Sequence, residues 1–221
     1  MSRSRRYVVE ELAAFTFLAS AVPFGHEAPR LVWSQLFGND HPVEIEVGFG
    51  KGTFLLASAT LAPERNFFGI EVERKYQLTT AAYAMARSLT NVRVACVDAK
   101  EFLAEQIASD SIETLHVYFP DPWWKRKHHK RRLFTFDFAL TCQRILQPGG
   151  VLRFATDVPA YYETVRETMR ALPTMAESIP TCEPLGIETG YERKALDEGR
   201  AIHRANYTKP MADITGVNRS S

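Results

Sequence analysis

Short apolar runs alternate, along the middle of the chain, with segments in which apolar residues recur at helical spacing. The short runs predict five strands, and the segments between them predict helices. The predicted strands cover residues 43–47, 66–72, 91–97, 114–119 and 151–156, and the predicted helices cover residues 53–61, 75–89, 100–108, 133–146 and 159–172. This alternation is typical of a parallel sheet whose strands are connected by helices.

The two ends of the chain depart from this pattern. Residues 200–208 alternate between apolar and polar side chains, which predicts a final strand antiparallel to the others. Pro148-Gly149-Gly150 is a signal for the end of the helix before it. Residues 1–40 predict an arm that packs on the domain, and residues 41–221 predict a single domain. The sequence therefore predicts an α/β fold with a mostly parallel, doubly wound sheet in which the first predicted strand is central.

Composition indicates a folded protein in a reducing compartment. Of the 221 residues, 45% are hydrophobic, which is ample for a packed core, and no apolar run approaches the length of a membrane span. The three cysteines, Cys96, Cys142 and Cys182, are far apart, and none has the spacing of a zinc site. We therefore expect a cytoplasmic protein with no membrane span and no bound metal. The sequence leaves a homodimer open.

Positive charge is concentrated in one short run. The net charge is only +1, but residues 125–132 read KRKHHKRR and carry six formal positive charges, so the rest of the chain carries −5. Lys125, Arg126, Lys130 and Arg131 of this run are predicted to bind phosphates of a nucleic acid. The alternative is a solvated surface loop, which is the usual role of a charge run taken alone.

A glycine-rich loop follows the first predicted strand. Gly48, Gly50 and Gly52 are spaced as GxGxG, which lets the backbone turn sharply and approach a ligand at the carboxyl edge of the sheet. The spacing lacks the third glycine of the dinucleotide-binding pattern GxGxxG. A glycine loop alone is weak evidence for any one ligand.

Acidic residues lie at the ends of three successive predicted strands. Glu46 lies at the end of the first, Glu71 ends the second, where it can bind both hydroxyls of a ribose, and Asp98 follows the third, where it can bind an adenine amino group. The set suits a nucleoside with a cationic centre and would repel a pyrophosphate. It therefore favours S-adenosylmethionine over NAD. Any one of these acids could instead be a helix cap.

The segment Phe119-Pro120-Asp121-Pro122-Trp123-Trp124, directly before the basic run, is the most specific signal. The two prolines fix φ on both sides of Asp121, which holds the carboxylate on a stiff turn where the ligand would react. The tryptophans offer faces for a stacked base, although at least one is expected in the core. Asp157, after the fifth predicted strand, is expected to be the N-cap of the next helix.

These motifs resemble those of the bacterial tRNA (guanine-N7-)-methyltransferases of the TrmB type, over residues 36–207. The resemblance is carried by FGNDHPVEIEVGFGKG (37–52), GIEVERK (69–75), VDA (97–99), FPDPWWKRKHHKRRL (119–133), ATD (155–157) and TGYERK (189–194). It implies a Rossmann-like class I S-adenosylmethionine-dependent methyltransferase that binds tRNA and methylates N7 of the variable-loop guanosine. Two positions depart from the family: Trp124 stands where proline or histidine is usual, and Gly190 stands where some members have lysine.

The resemblance also implies roles for individual residues. It implies that Asp121 is catalytic and lies beside the cofactor. The implied cofactor-binding residues are Glu46, Gly48, Gly50, Gly52, Glu71, Asp98, Ala99 and Asp121, and the implied substrate-binding residues include Lys125, Asp157, Thr189, Tyr191 and Glu192. The rival hypotheses are a methyltransferase acting on a small molecule or protein, which would not need the basic run, and a non-catalytic RNA-binding protein that keeps only the fold.

Overall fold

The computed structural model describes residues 12–17, 30–122, 132–172, 174–180 and 186–211, and within these ranges it contains eight strands and seven helices. The strands are β1 (Thr16–Phe17), β2 (Val43–Val47), β3 (Asn66–Glu71), β4 (Val92–Cys96), β5 (Ile112–Tyr118), β6 (Leu146–Thr156), β7 (Ala176–Ser178) and β8 (His203–Thr208). The helices are α1 (Trp33–Phe37), α2 (Thr53–Leu61), α3 (Arg74–Ala86), α4 (Ala99–Glu105), α5 (Phe136–Ile145), α6 (Pro159–Arg170) and α7 (Gly190–Asp197).

All the described strands form one sheet in the order β1-β4-β3-β2-β5-β6-β8-β7. Strands β1 to β6 pair in parallel, whereas β8 runs antiparallel to β6 and β7 runs antiparallel to β8. The predicted fold class is therefore confirmed: the sheet is mostly parallel, β2 is central, and the C-terminal segment supplies an antiparallel strand.

Helices pack on both faces of the sheet and form two buried apolar clusters. One cluster joins the sheet to α4, α5 and α6 and includes Ile45, Leu115 and Phe102. The other joins the opposite face to α2 and α3 and includes Leu55 and Val94. Because the side chains of a strand point alternately to the two faces, the strands β2 and β3 are buried along their whole length.

The structure differs from the prediction around Pro148-Gly149-Gly150. Helix α5 ends at Ile145, and β6 begins at the next residue, so these three residues lie inside the strand and not in a loop. The N–H of Gly149 donates to the carbonyl of Lys209 and the N–H of Lys209 donates to Gly150, both at 2.9 Å. The pairing register with β5 shifts at this point, which accommodates the proline as an irregularity at the start of the strand.

Part of the predicted N-terminal arm joins the sheet. Strand β1 pairs in parallel with the outer side of β4, with Thr16 opposite Val94 and Phe17 opposite Ala95. Leu12 is buried against the cluster on the α2–α3 face. Elements as short as β1 and β7 leave no periodic pattern in a sequence, and neither was predicted.

Two further observations concern membranes and metals. None of the helices in the described ranges combines the length and the apolar character that crossing a membrane requires. Among the same residues, no group of three or more His, Cys, Asp or Glu side chains is arranged to hold a metal ion.

Candidate active site

Five acidic residues lie at one edge of the sheet, because the strands that carry them are parallel. Glu46 is the fourth residue of β2, and Glu71 is the last residue of β3. Asp98, Asp121 and Asp157 follow β4, β5 and β6. The sequence predicted this juxtaposition, and ligands of open α/β sheets bind at this edge.

The glycine loop between β2 and α2 has a backbone that only glycine adopts readily. Gly48, Gly50 and Gly52 all have positive φ, at 75°, 51° and 69°. A Cβ added at Gly52 would lie 2.5 Å from Cγ2 of Thr80, so even a methyl group is excluded at that position. The loop therefore turns sharply at the edge of the sheet, where Gly48 and Gly50 line the cavities described below.

Glu71 holds this loop in place. Its Oε2 accepts a hydrogen bond from the backbone N–H of Gly50 at 2.9 Å. Its Oε1 accepts from the N–H of Val72 at 2.8 Å and from that of Glu73 at 3.1 Å. Sequence reasoning predicted a ribose contact for Glu71 and missed these backbone contacts, of which the one to Gly50 joins residues 21 positions apart.

Glu46 is a buried carboxyl group with an unsatisfied oxygen. The side chain is 5% exposed, it accepts a hydrogen bond from the backbone N–H of Leu55 in the first turn of α2, and its Oε2 has no hydrogen-bond partner among the described residues. Burial raises its pKa to about 8, with a smaller contribution from the charge of Glu71. A buried acceptor of this kind fits a ligand that carries a hydrogen-bond donor or a positive charge.

Asp98 is the N-cap of α4. Its Oδ1 accepts from the backbone N–H of Lys100 at 2.8 Å and from that of Glu101 at 3.4 Å. Ala99 is the first, buried residue of the helix. Asp98 nevertheless lines the larger cavity described below, so the cap holds its carboxylate at the cavity wall.

Two adjoining cavities lie above the glycine loop. The larger, of about 620 Å³, is lined by Glu71, Asp98, Ala99 and Asp121, and the smaller, of about 330 Å³, is lined by Glu46. Both cavities are lined by Gly48, Gly50, Tyr76, Tyr118 and Tyr191. The structure therefore brings the predicted cofactor-binding acids and Asp121 together around one divided space.

Asp121 is exposed and follows a strained turn. Phe119, two residues earlier, is a non-glycine residue with a positive φ of 51°. Its N–H donates to the carbonyl of Ala155 on β6 at 2.8 Å, and its ring stacks on Tyr191 with centroids 6.5 Å apart. These contacts fix the backbone that carries Asp121 at the wall of the larger cavity.

Helix α7 covers the smaller cavity. Thr189 is its N-cap and accepts from the backbone N–H of Glu192 at 2.9 Å. Glu192 is buried and pairs with Arg204 of β8. Tyr191 is 62% exposed and lines both cavities. Of the three residues predicted to bind substrate here, Thr189 and Tyr191 therefore line the smaller cavity, and Thr189 and Glu192 hold the helix in position.

The expected role of Asp157 as a helix cap is wrong. The N-cap of α6 is Val158, whose side chain makes no capping hydrogen bond. Asp157 instead pairs with Arg200, in the segment between α7 and β8. Pro159 at the first helical position has no N–H to be capped, and tertiary contact with the C-terminal segment determines where the carboxylate lies.

The predicted phosphate-binding residues Lys125, Arg126, Lys130 and Arg131 lie outside the described residues, as do Trp123 and Trp124. Arg132, the last residue of the run, is described. Its Nε donates to the carbonyl of Pro122 at 2.9 Å, and its guanidinium lies 5.8 Å from the ring centre of Tyr161.

Several cavity residues were not predicted from the sequence. Tyr76 and Tyr118 line both cavities, and Lys51 and Lys194 line the smaller one. One signal was available for Tyr118, which lies near the end of a predicted strand, two residues before Pro120. Because it is also two residues after His116, the two side chains share a face of the sheet. For Tyr76 and the lysines, the pattern gave no indication of the cavity.

Comparison with known proteins identifies the family. Residues 40–205 match the family model described as "Putative methyltransferase". The chain is 39% identical, over 195 residues, to the "tRNA (guanine-N(7)-)-methyltransferase" of Rhodopirellula baltica. The aligned region covers 83% of this chain and 72% of the relative. It is 44% identical over 152 residues to the protein of the same name from Vibrio cholerae strain O395, covering 68% of this chain and 64% of that relative.

Solved structures share the fold at low identity. A 16S rRNA methyltransferase, KamB, superposes with a TM-score of 0.60 at 16% identity and covers 86% of this chain and 99% of its own. The aminoglycoside resistance methyltransferase NpmB1 gives a TM-score of 0.56 at 16% identity, with 85% and 98% covered. At this identity the likeness concerns the fold alone. Because the family model matches most of the sequence and a curated relative is 39% identical over 83% of it, this chain belongs to that methyltransferase family.

Proposed function

We propose that this chain transfers a methyl group from S-adenosylmethionine to N7 of a guanosine in tRNA, and that the target is the variable-loop guanosine. The observation that carries the proposal is the pair of adjoining cavities at the carboxyl edge of the sheet, which are lined by acidic residues and by the glycine loop. The curated relatives of the chain bear the name tRNA (guanine-N7-)-methyltransferase. Residues 41–221 serve as a single catalytic domain, and a tRNA substrate places the protein in the cytoplasm.

The cavity residues fit S-adenosylmethionine. The buried Oε2 of Glu46 would accept from a donor or face a cation once the carboxyl group is ionised, and this cofactor carries both an ammonium group and a sulfonium. Glu71 and Asp98 line the larger cavity, where ribose hydroxyls and an adenine amino group would find acceptors. Gly48, Gly50 and Ala99 let the ligand approach the backbone closely. When bound, the cofactor supplies an electrophilic methyl group.

No residue needs to remove a proton from the substrate. Guanine N7 carries an in-plane lone pair, so the residues of the protein need only align the base with the methyl group and exclude other bases. Asp121 accepts hydrogen bonds from guanine N1–H and the exocyclic amine, which also stabilises the positive charge that develops on the ring. Adenine lacks this pair of donors, so the same contact selects guanine. Asp121 is exposed at the cavity wall, as this role demands.

The tRNA is held by groups around the cavity mouth. Tyr191, which is exposed and borders both cavities, offers an aromatic face on which the target base stacks. Lys125, Arg126, Lys130 and Arg131 bind backbone phosphates, so affinity should fall as the salt concentration rises. Extracting a base that takes part in tRNA tertiary structure costs a few kcal/mol, which these contacts offset.

The test is transfer of a labelled methyl group to unmodified tRNA, followed by mapping of the product. We expect one labelled nucleoside, 7-methylguanosine, at the variable-loop position. Label at a different guanosine would overturn the assigned position, and label on another base would overturn the assigned atom. If the protein methylates a small molecule or another protein and leaves unmodified tRNA unlabelled, the proposed function is overturned.

A further inference from the structure

The smaller cavity, of about 330 Å³, carries charge of both signs. Its described lining includes three charged residues, Glu46, Lys51 and Lys194. Glu46 is buried, and its Oε2 has no hydrogen-bond partner among the described residues. Both lysines are exposed, and the ammonium group of Lys194 lies 3.9 Å from a carboxylate oxygen of Glu198. Because an exposed ion pair of this kind contributes little, it leaves Lys194 available to a ligand.

Helix α2 begins at the same cavity. Its first two residues, Thr53 and Phe54, line the cavity. The N-cap, Gly52, provides no capping side chain, and the first turn contains no acidic residue. The first N–H groups of a helix have no acceptor within the helix, and they carry the positive end of its dipole. This end of α2 therefore favours an anionic group in the cavity.

Helix α7 supplies another wall of the cavity. Gly190, Tyr191 and Lys194 all line it, and they share one side of the helix because positions three and four apart are neighbours. The glycine loop approaches this side of α7, since a Cβ added at Gly50 would lie 3.8 Å from Cε2 of Tyr191. Lys51 from the loop and Lys194 from the helix therefore border the same space.

An unpartnered acid, two lysines and a helix N-terminus around one cavity suit an α-amino acid, whose ammonium group needs an acceptor and whose carboxylate needs donors. We propose that the smaller cavity holds the amino-acid end of bound S-adenosylmethionine, where Lys51 and Lys194 bind the carboxylate and Glu46 binds the ammonium group. The proposal rests on the proposed function. It adds cofactor binding to the substrate-binding role that the family resemblance implies for the start of α7.

A tRNA phosphate would also attract the two lysines. Glu46 favours the carboxylate of the cofactor, because a phosphate offers no donor to the unsatisfied Oε2 in the same cavity, whereas an amino acid brings an ammonium group together with its carboxylate. The larger cavity, with Glu71 and Asp98, then receives the nucleoside end of the same molecule.

The test compares S-adenosylmethionine with decarboxylated S-adenosylmethionine, which keeps the ammonium and sulfonium groups and lacks only the carboxylate. Lys51→Met and Lys194→Met remove one charge each and keep an unbranched side chain. By calorimetry, we expect the Kd of S-adenosylmethionine to rise about threefold to fivefold in each variant and about tenfold in the double variant. The Kd of the decarboxylated ligand should not rise, because it has no carboxylate to lose a partner.

Arg193→Met is the matched control. Arg193 precedes Lys194 on α7, its side chain is equally exposed at 68%, and it lines neither cavity. We expect this variant to leave both Kd values unchanged, and a selective loss equal to that of Lys194→Met would overturn the contact.

Three further outcomes separate the possible failures. Equal increases in both Kd values for the lysine variants would overturn the carboxylate contact. Unchanged Kd values together with weaker tRNA binding would overturn it in favour of a phosphate contact. Wild-type protein that binds neither ligand would overturn the proposed function itself, which is distinguishable from binding of S-adenosylmethionine that does not depend on the two lysines.

Discussion

Oε2 of Glu71 accepts a hydrogen bond from the backbone N–H of Gly50 at 2.9 Å, so the acid that ends β3 holds the loop that follows β2. The same carboxylate accepts from the N–H groups of Val72 and Glu73. Each carboxylate oxygen can accept two hydrogen bonds, so a ribose contact is compatible with these backbone contacts. Glu71 therefore both shapes the cavity floor and offers one remaining acceptor site, on Oε2, to the ligand.

Replacing Glu71 should weaken cofactor binding. Loss of a charge-assisted hydrogen-bonding group is worth roughly 1.5–3 kcal/mol, so we expect the Kd of S-adenosylmethionine to rise by about one to two orders of magnitude in Glu71→Ala. Glu71→Gln keeps one acceptor oxygen and should lose less. Calorimetry measures both, with the exposed Glu64→Gln as control. A Kd within twofold of wild type in Glu71→Ala would count against the assignment.

Cofactor binding should release a proton from Glu46. Its pKa is about 8 in the ligand-free protein because the group is buried, and a cation at Oε2 favours the ionised form. The affinity should therefore rise with pH up to about 8 and level off above it. The release is measured as a dependence of the binding enthalpy on the ionisation enthalpy of the buffer. Glu46→Gln should abolish it, and equal enthalpies in all buffers with wild type would contradict this.

The same shift affects the stability of the ligand-free protein. The pKa of Glu46 is raised on folding from 4.5 to about 8, so its contribution to stability is fully present below pH 4.5. That contribution is lost as pH rises through the interval to about 8, because the unfolded chain releases the proton first. The free energies of unfolding of wild type and Glu46→Gln, measured by chemical denaturation, should therefore diverge as pH rises through this range.

Asp121→Asn should impair catalysis far more than tRNA binding. The amide keeps the size of the side chain but turns one acceptor into a donor that faces the N–H groups of guanine. Loss of one such electrostatic group typically lowers the rate by about 10²–10³, whereas tRNA affinity rests on many phosphate contacts. Single-turnover methylation measures the rate, with the exposed Asp137→Asn as control. Near-normal turnover would leave Asp121 as a structural turn residue.

Glu192 offers a test that separates a structural role from substrate binding. It is buried and paired with Arg204, and removal of one partner of a buried pair costs about 3–5 kcal/mol. We expect Glu192→Gln to lower the free energy of unfolding by an amount of this order, and Arg204→Met in the same protein to recover part of the loss. Unchanged stability together with lost tRNA binding would show that Glu192 acts on the substrate instead.

The fold could be predicted because its signals are local. The predicted bounds of β2 and α2 coincide with the structure, and the other predicted elements differ by at most three residues at their ends, except β6, which begins five residues earlier than predicted. The sequence also contains a signal for the start of α7, because Thr189 and Glu192 have the spacing of a capping box. This helix was nevertheless not predicted.

The site was predicted in outline because carboxyl ends of parallel strands meet at one edge. Its contacts were not, because they depend on side chains that meet across the fold. Asp157 pairs with Arg200 from beyond α7, and Glu44 meets His116 across the register of β2 and β5. A sequence pattern identifies the acids at the carboxyl edge of the sheet, but tertiary packing determines which of them remain available to a ligand.

The central claim is that N7 of one tRNA guanosine receives the methyl group. It is tested most directly with two synthetic tRNAs that differ only at the variable-loop position, one with guanosine and one with 7-deazaguanosine, in which a C–H replaces N7. We expect equal affinity for both, because N7 is not a recognition contact, and methyl transfer only to the guanosine tRNA. Equal transfer to both tRNAs would contradict the account.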